Sequence, residues 1–254
     1  MRPLVSIVIP AWNEEFRLPT TLNALAEFVA SPAGQRISPE VIVVDNASTD
    51  RTNTIATEFA ATHPYLRVLR EEQRGKGAAV QTGMLAGSGQ YLFICDADLA
   101  MPMTELLKFL PPQLDGYGVA IGSREAVGAR RYGEPLYRHL MGRIFSRITQ
   151  MLVLPGFQDT QCGYKCFEYA VAQDIFRAQT MAGWAFDVEI LHIAKRRGYR
   201  ILEVPIQWYY QPNSRVSPIS DSLKMIREVW HVRQNGRAGI YDQPHEIPFR
   251  QAGK

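Results

Sequence analysis

Short runs of β-branched residues, each followed by a helical pattern, constrain this chain more than any other feature. The runs occupy residues 5–9, 41–44, 66–69, 91–95 and 119–121. They are rich in Val and Ile and bounded by turn formers, which reads as strands buried on both faces. Between them Leu18, Leu22, Leu25 and Phe28 recur at helical spacing, as do Ile55 with Phe59 and Val80 with Met84 and Leu85. Ser48-Thr49-Asp50 offers N-caps for the second helix, and Pro102 with Thr104 opens a fourth. Strand, helix, strand, helix predicts right-handed βαβ units and a mostly parallel sheet. In such sheets ligands bind beyond the carboxyl ends of the strands.

The second half is less regular. Residues 122–138 read as a loop rich in Gly and Arg. Residues 137–154 read as an amphipathic helix, with Leu140, Ile144 and Ile148 on one side and Arg143 and Arg147 on another. Residues 159–167 are strand-like, 186–197 helical, 200–209 a strand, and 217–233 a last helix before a loose tail. No repeat or low-complexity linker divides the chain. The expectation is one α/β domain over residues 1–215 and a C-terminal helical extension over residues 216–254.

At 254 residues such a domain needs no covalent staples. The three cysteines, Cys95, Cys162 and Cys166, suit buried thiols in a reducing compartment. Cys162 and Cys166 have no second pair with which to make a zinc site. A net charge of +3 does not mark a nucleic-acid binder. No signal peptide opens the chain, and no stretch approaches the ~18 apolar residues of a membrane-spanning helix. A cytoplasmic protein, free or resting on a membrane surface, is expected.

The chemistry stands at the strand ends. The first run leads into Pro10-Ala11-Trp12-Asn13-Glu14-Glu15, the second into Asp45-Asn46, and the fourth into Asp96-Ala97-Asp98. Neither the glycine fingerprint of a dinucleotide fold nor a P-loop is present. Carboxylates at i and i+2 just beyond a strand can converge on one hard cation, Mg²⁺ or Mn²⁺, that bridges to phosphates; otherwise Asp-Ala-Asp is a solvated turn. Asp45 is either an acceptor for a nucleotide or a turn residue. Arg74-Gly75-Lys76-Gly77 opens a helix with glycines and cations, which suits an anion. Arg124, Arg130, Arg131, Arg138, Arg143 and Arg147 face only Glu125 and Glu134, an excess that suits phosphate or an anionic lipid surface.

These segments, in this order, resemble the successive signatures of the family 2 inverting glycosyltransferases. The runs at residues 121–124, 159–165, 184–189 and 213–216 look most like its dolichyl-phosphate glucosyltransferases, Asp159-Thr160-Gln161-Cys162-Gly163-Tyr164-Lys165 above all. The resemblance implies a Rossmann-like nucleotide-sugar transferase fold and roles for particular residues. Pro10, Asn13, Glu14 and Asp45 would line the uridine pocket, with Lys76 nearby. Asp96 and Asp98 would hold Mg²⁺ or Mn²⁺ on the donor diphosphate. Arg124 and Arg138 would bind the phosphate of a polyprenyl acceptor, and Arg215 would stabilise the leaving group. Asp159, Asp187 and Glu189 would border the sugar and acceptor. The expected reaction moves glucose from UDP-glucose to a polyprenyl or dolichyl phosphate at a membrane surface. The alternative is a sibling that uses another donor, such as GDP-mannose, or a hydroxyl acceptor.

Overall fold

The computed structural model describes residues 3–211 and 220–242. Strands β1 (Val5–Ala11), β2 (Glu40–Asp45), β3 (Leu66–Arg70) and β4 (Tyr91–Ile94) interleave with helices α1 (Leu18–Ala30), α2 (Pro32–Ile37), α3 (Thr52–Thr62) and α4 (Lys76–Ala86). A 3₁₀ helix, Met103–Phe109, comes next. It is followed by β5 (Val119–Ser123), β6 (Arg130–Tyr132), α5 (Leu136–Leu152), β7 (Lys165–Glu168), α6 (Tyr169–Ala178) and α7 (Phe186–Arg196). β8 (Ile201–Pro205), β9 (Gln207–Tyr209) and α8 (Ser220–Arg237) complete the described chain.

Seven strands form one sheet in the order β3-β2-β1-β4-β7-β5-β8. Every neighbouring pair is parallel except those of β7, which runs antiparallel between β4 and β5. Strand alternation divides the core. Ile7, Ile9, Val41 and Val43 face α1, α2, α3 and the 3₁₀ helix, while Val8, Ile42 and Val44 face α4 and the later helices. Burial on both faces is what the unbroken Val/Ile runs require.

All five expected strands form. The expected fourth helix is a 3₁₀ segment instead, and Pro111 and Pro112 just beyond it keep it short. Only the end of residues 159–167 pairs as a strand; the rest bends over the tip of β4. Residues 200–209 split at Pro205, with β8 in the main sheet and β9 beside β6. α2, β6 and α6 were not expected. They are short, and β6 is the polar run Arg130-Arg131-Tyr132, whose only signal is its remote partner.

Met225, Val229 and Val232 of α8, with Tyr241 beyond it, pack into the same cluster as Val8 and Ile94. The described part of the expected extension, residues 220–242, therefore shares the core of the sheet. No helix among the described residues is long and apolar enough to cross a membrane.

The three cysteines are free and buried. Burial pushes all three thiols up, Cys162 and Cys166 to about 12. In the native state none should react with a disulfide reagent at pH 8, since the thiolate is the nucleophile. All three should titrate once the chain is unfolded. One rapidly reacting native thiol would contradict this packing.

Candidate active site

A cavity of about 670 Å³ opens beyond the carboxyl ends of β1, β2 and β4. Its walls include Pro10, Glu14 and Arg17 after β1, Asn46 after β2, Lys76 at the start of α4, and Asp96 and Asp98 after β4. Gln161, Cys162, Gly163 and Tyr164 border it before β7, Trp184 and Asp187 at the start of α7, and Trp208 and Tyr210 around β9.

Charge organises these walls. Asp96 lies 2.6 Å from Lys76. Asp98 accepts the Ala100 N–H at 3.0 Å. Burial, and then repulsion from Asp96, push the Asp98 carboxyl up to about 6. Burial works against the charge on Lys76, but Asp96 and Asp187 more than offset it and hold its ammonium above the ordinary lysine value. Glu14 grips Arg17 through two hydrogen bonds of 2.6 Å, and this pairing, reinforced by Asp98 and Asp96, raises the guanidinium further.

β7 closes the floor. Its residue Lys165, fully buried, donates 2.5 Å hydrogen bonds to Asp187 and to the Cys162 carbonyl. Burial nevertheless keeps the Asp187 carboxyl above its usual range. Two residues earlier, a Cβ on Gly163 would lie 1.9 Å from an Asp96 oxygen. No side chain fits at that position unless Asp96 moves.

Asp96 and Asp98 suit a divalent cation. They are hard oxygen donors, and their mutual repulsion is what a cation would relieve. No group of three or more metal-ligating side chains occurs among the described residues. An ion here would share its coordination with water and a bound phosphate, as Mg²⁺ commonly does.

Pro10, Glu14, Lys76, Asp96, Asp98, Arg124 and Asp187 all line the cavity. Four other expected residues do not, Asp159, which is paired with Arg124, among them. Asp45 is fully buried and spends its oxygens on the Ser48 N–H, Asn53 and Arg70. Its neighbour Asn46 lines the cavity instead, accepting the Gly75 N–H and donating to the Glu71 and Gln73 carbonyls. Asn13 sits at positive φ and accepts the Thr49 N–H, tying the loops after β1 and β2 together. Glu189 points into the core, where Thr180, Met181 and Tyr241 surround its carboxylate. For Asp45 and Asn13 an adjacent residue lines the cavity instead, an offset that sequence alone does not resolve. Arg215, and the side chain of Arg138, lie outside the described residues.

Arg124 lines the cavity already engaged. Its backbone N–H, Nε and Nη2 all donate to Asp159 at 2.7–3.0 Å, and its guanidinium lies over Trp208. Burial would raise Asp159, but Arg124 more than offsets it and brings the carboxyl down to about 2. Arg131 and Arg143 are likewise paired with Glu125 and Glu134, so much of the arginine excess is neutralised locally. Arg17, Asn46 and Trp208 were not singled out from sequence. Only the i,i+3 spacing of Glu14 and Arg17 hinted at the first.

The chain matches the family model described as Glycosyl transferase family 2 over residues 6–176. It is 33% identical to a dolichyl-phosphate β-glucosyltransferase of Drosophila melanogaster, over 90% of this chain and 74% of that protein. It is 31% identical to the Dictyostelium discoideum enzyme of the same name, over 93% of this chain and 76% of that one. Among solved structures it resembles the glucosyl-3-phosphoglycerate synthase of Mycobacterium tuberculosis in complex with phosphoglyceric acid. The TM-score is 0.68 at 19% identity, covering 94% of this chain and 80% of that one. Another structure of that synthase, with Mn²⁺, UDP and phosphoglyceric acid, superposes with a TM-score of 0.66 at 19% identity, over 94% of this chain and 79% of that one.

Two variants test this site. Gly163→Ala should leave the fold intact and weaken Mn²⁺ binding by about tenfold or more, because it displaces a carboxylate; isothermal titration reads this directly, and unchanged affinity would refute the contact. Asp159→Asn strands the Arg124 guanidinium and should cost about 3 kcal/mol of stability. The folded value of Asp159 is depressed. Its contribution is therefore full above the ordinary aspartate value near ~3.9 and fades as pH falls toward 2. The stability gap between wild type and Asp159→Asn should narrow over that window in denaturant titrations.

Proposed function

Because the chain belongs to glycosyl transferase family 2, we propose that it transfers glucose from UDP-glucose to a polyprenyl or dolichyl phosphate, inverting the anomeric centre. One observation carries the reading. A single cavity joins the paired carboxylates Asp96 and Asp98, with Lys76, to a wall of Trp208 and Arg124, the latter held by Asp159. The likeness to the dolichyl-phosphate glucosyltransferases over nine-tenths of the chain supports this choice of donor and acceptor.

In this reaction an acceptor phosphate oxygen forms a bond to the anomeric carbon as the bond from that carbon to UDP breaks on the opposite face. The electron pair leaves on the diphosphate. Asp96 and Asp98 would hold Mg²⁺ or Mn²⁺, which when bound supplies positive charge against that diphosphate. Lys76 adds a fixed cation from the N-terminus of α4, where backbone N–H groups also favour anions. We assign Arg215 to the same leaving group, and Arg124 and Arg138 to the acceptor phosphate. Glu14 and Pro10 fall to the nucleoside end of the cavity. A phosphate monoester, with a second pKa near ~6, is already largely ionised at neutral pH. The acceptor therefore needs no general base, and Asp187, paired with Lys165, borders the sugar as a fixed charge.

The acceptor is a lipid, and α5 is suited to meet it at a membrane. Leu136, Leu140, Ile144 and Met151 are all exposed and recur at helical spacing, with exposed Arg143 and Arg147 among them. Met141 and Gly142 of the same helix line the cavity. An apolar stripe edged by arginines lies in the interface of anionic bilayers. We place the enzyme at the cytoplasmic face as a peripheral protein.

Labelled UDP-glucose with a polyprenyl phosphate and Mn²⁺ should yield label in the organic phase. EDTA or Asp98→Ala should reduce it by about a hundredfold or more. Label from GDP-mannose instead, or into a glycan hydroxyl only, would overturn the assignment. In flotation with anionic vesicles the wild type should rise with the lipid, and Leu140→Glu/Ile144→Glu should stay behind while still binding UDP in solution.

A further inference from the structure

Glu189 was expected at the sugar and is found in the core, yet it is not remote from the donor site in effect. Its carboxylate is fully buried and receives four donors. The Thr180 N–H and hydroxyl reach one oxygen at 2.9 and 2.6 Å, and the Met181 N–H reaches the other at 2.8 Å. The fourth is the hydroxyl of Tyr241, at 2.8 Å. Tyr241 lies beyond α8 and is itself fully buried. Asn235 of α8 donates to both the Tyr241 and Thr180 hydroxyls. A carboxylate can accept this many bonds, whereas an amide in its place would set an N–H against an N–H.

The segment so held presses on the start of α4. The Ala182 carbonyl accepts the Ala78 N–H. A Cβ on Gly75 would lie 2.1 Å from that carbonyl oxygen, and one on Gly77 would lie 2.4 Å from the oxygen of Met181. Between these two glycines stands Lys76, whose ammonium reaches Asp96 and lies 5.6 Å from the Trp184 ring. Glu228 of α8 supports the other end by accepting the Ala185 N–H at 3.1 Å. Backbone contacts this close pass on a displacement rather than absorb it.

We propose that Glu189, pinned by Tyr241, is a positioning residue for the donor site: it holds the 180–183 segment against the Gly75-Lys76-Gly77 turn and so sets Lys76 on Asp96 and Trp184 in the cavity wall. The C-terminal helix is thereby part of the donor-binding apparatus. This inference rests on the reading of the cavity as a nucleotide-sugar site.

Tyr241→Phe removes one hydroxyl and keeps the ring. Tyr199→Phe is the matched control, because it removes an equivalent bond, 2.8 Å to Asp174, at a tyrosine that does not line the cavity. UDP affinity with Mn²⁺, KM for each substrate, kcat and thermal midpoint are measured for both. Tyr241→Phe should raise the UDP dissociation constant and donor KM by about five- to tenfold, the scale of one buried hydrogen bond, and leave acceptor KM unchanged. Tyr199→Phe should lower the midpoint comparably and leave both donor quantities unchanged. Glu189→Gln should exceed Tyr241→Phe in the same direction. If either variant fails to fold, Glu228→Ala, which removes the acceptor of the Ala185 N–H, takes its place with the same expected split. Wild-type donor affinity in a variant of lowered stability would overturn the proposal, as would equal donor effects from the control. A wild type that binds no UDP would overturn the underlying reading, and this proposal with it.

Discussion

Two carboxylates, Asp96 and Asp98, are forced together at the tip of a buried strand, and the surroundings are built to tolerate them. Burial disfavours the charge on Asp98 and Asp96 repels it, which is why the Asp98 carboxyl is driven up to about 6. Cations answer from several elements. Lys76 comes from α4 and meets Asp96 directly, and Arg17 comes from the loop after β1. Lys165, from β7, balances Asp187, whose field also reaches Lys76. The cavity floor is thus a set of interlocked opposite charges, each dependent on the others for its cost of burial. A donor diphosphate and its cation would enter a field already shaped for them, which is the sense in which such sites are preorganised.

β7 connects this charge set to the sheet. Among the described residues it is the one strand that runs against its neighbours, and the reversal brings residues 161–165 back over the tip of β4. Gly163 can then touch Asp96, and Tyr164 can receive the Met101 N–H with its hydroxyl. A parallel strand in the same place would send its preceding loop to the far edge of the sheet. The antiparallel insertion is therefore part of the site as well as of the topology.

Legibility followed the range of the interactions. The five strands and the carboxylates at their ends were readable because burial on both faces leaves an unbroken apolar run, and a turn residue after such a run has few places to go. Asp96, Asp98, Lys76, Glu14 and Pro10 line the cavity for that reason. Offsets of a single residue were not readable. Asp45 and Asn46 are adjacent and similar in shape, and the alternation of side chains at the end of β2 sends one into the scaffold and the other into the cavity. The arginine cluster was read from its count, but pairing with Glu125, Glu134 and Asp159 depends on how β6, α5 and the 159–165 turn fold back on one another.

The sequence by itself determined the sheet, its covering helices and the rim on which chemistry stands, because periodicity and burial are local properties of a chain. It also carried the family, since its signatures are contiguous runs. Tertiary structure alone decided which acidic residues face the cavity and which brace it. Glu189 is the clearest case. It lies two residues from Asp187 on α7, and a helix turns side chains at that spacing in different directions. One enters the cavity wall and the other meets Tyr241, far along the chain, in the core. A residue's role there depends on what the fold places opposite it, and that partner is not written nearby in the sequence.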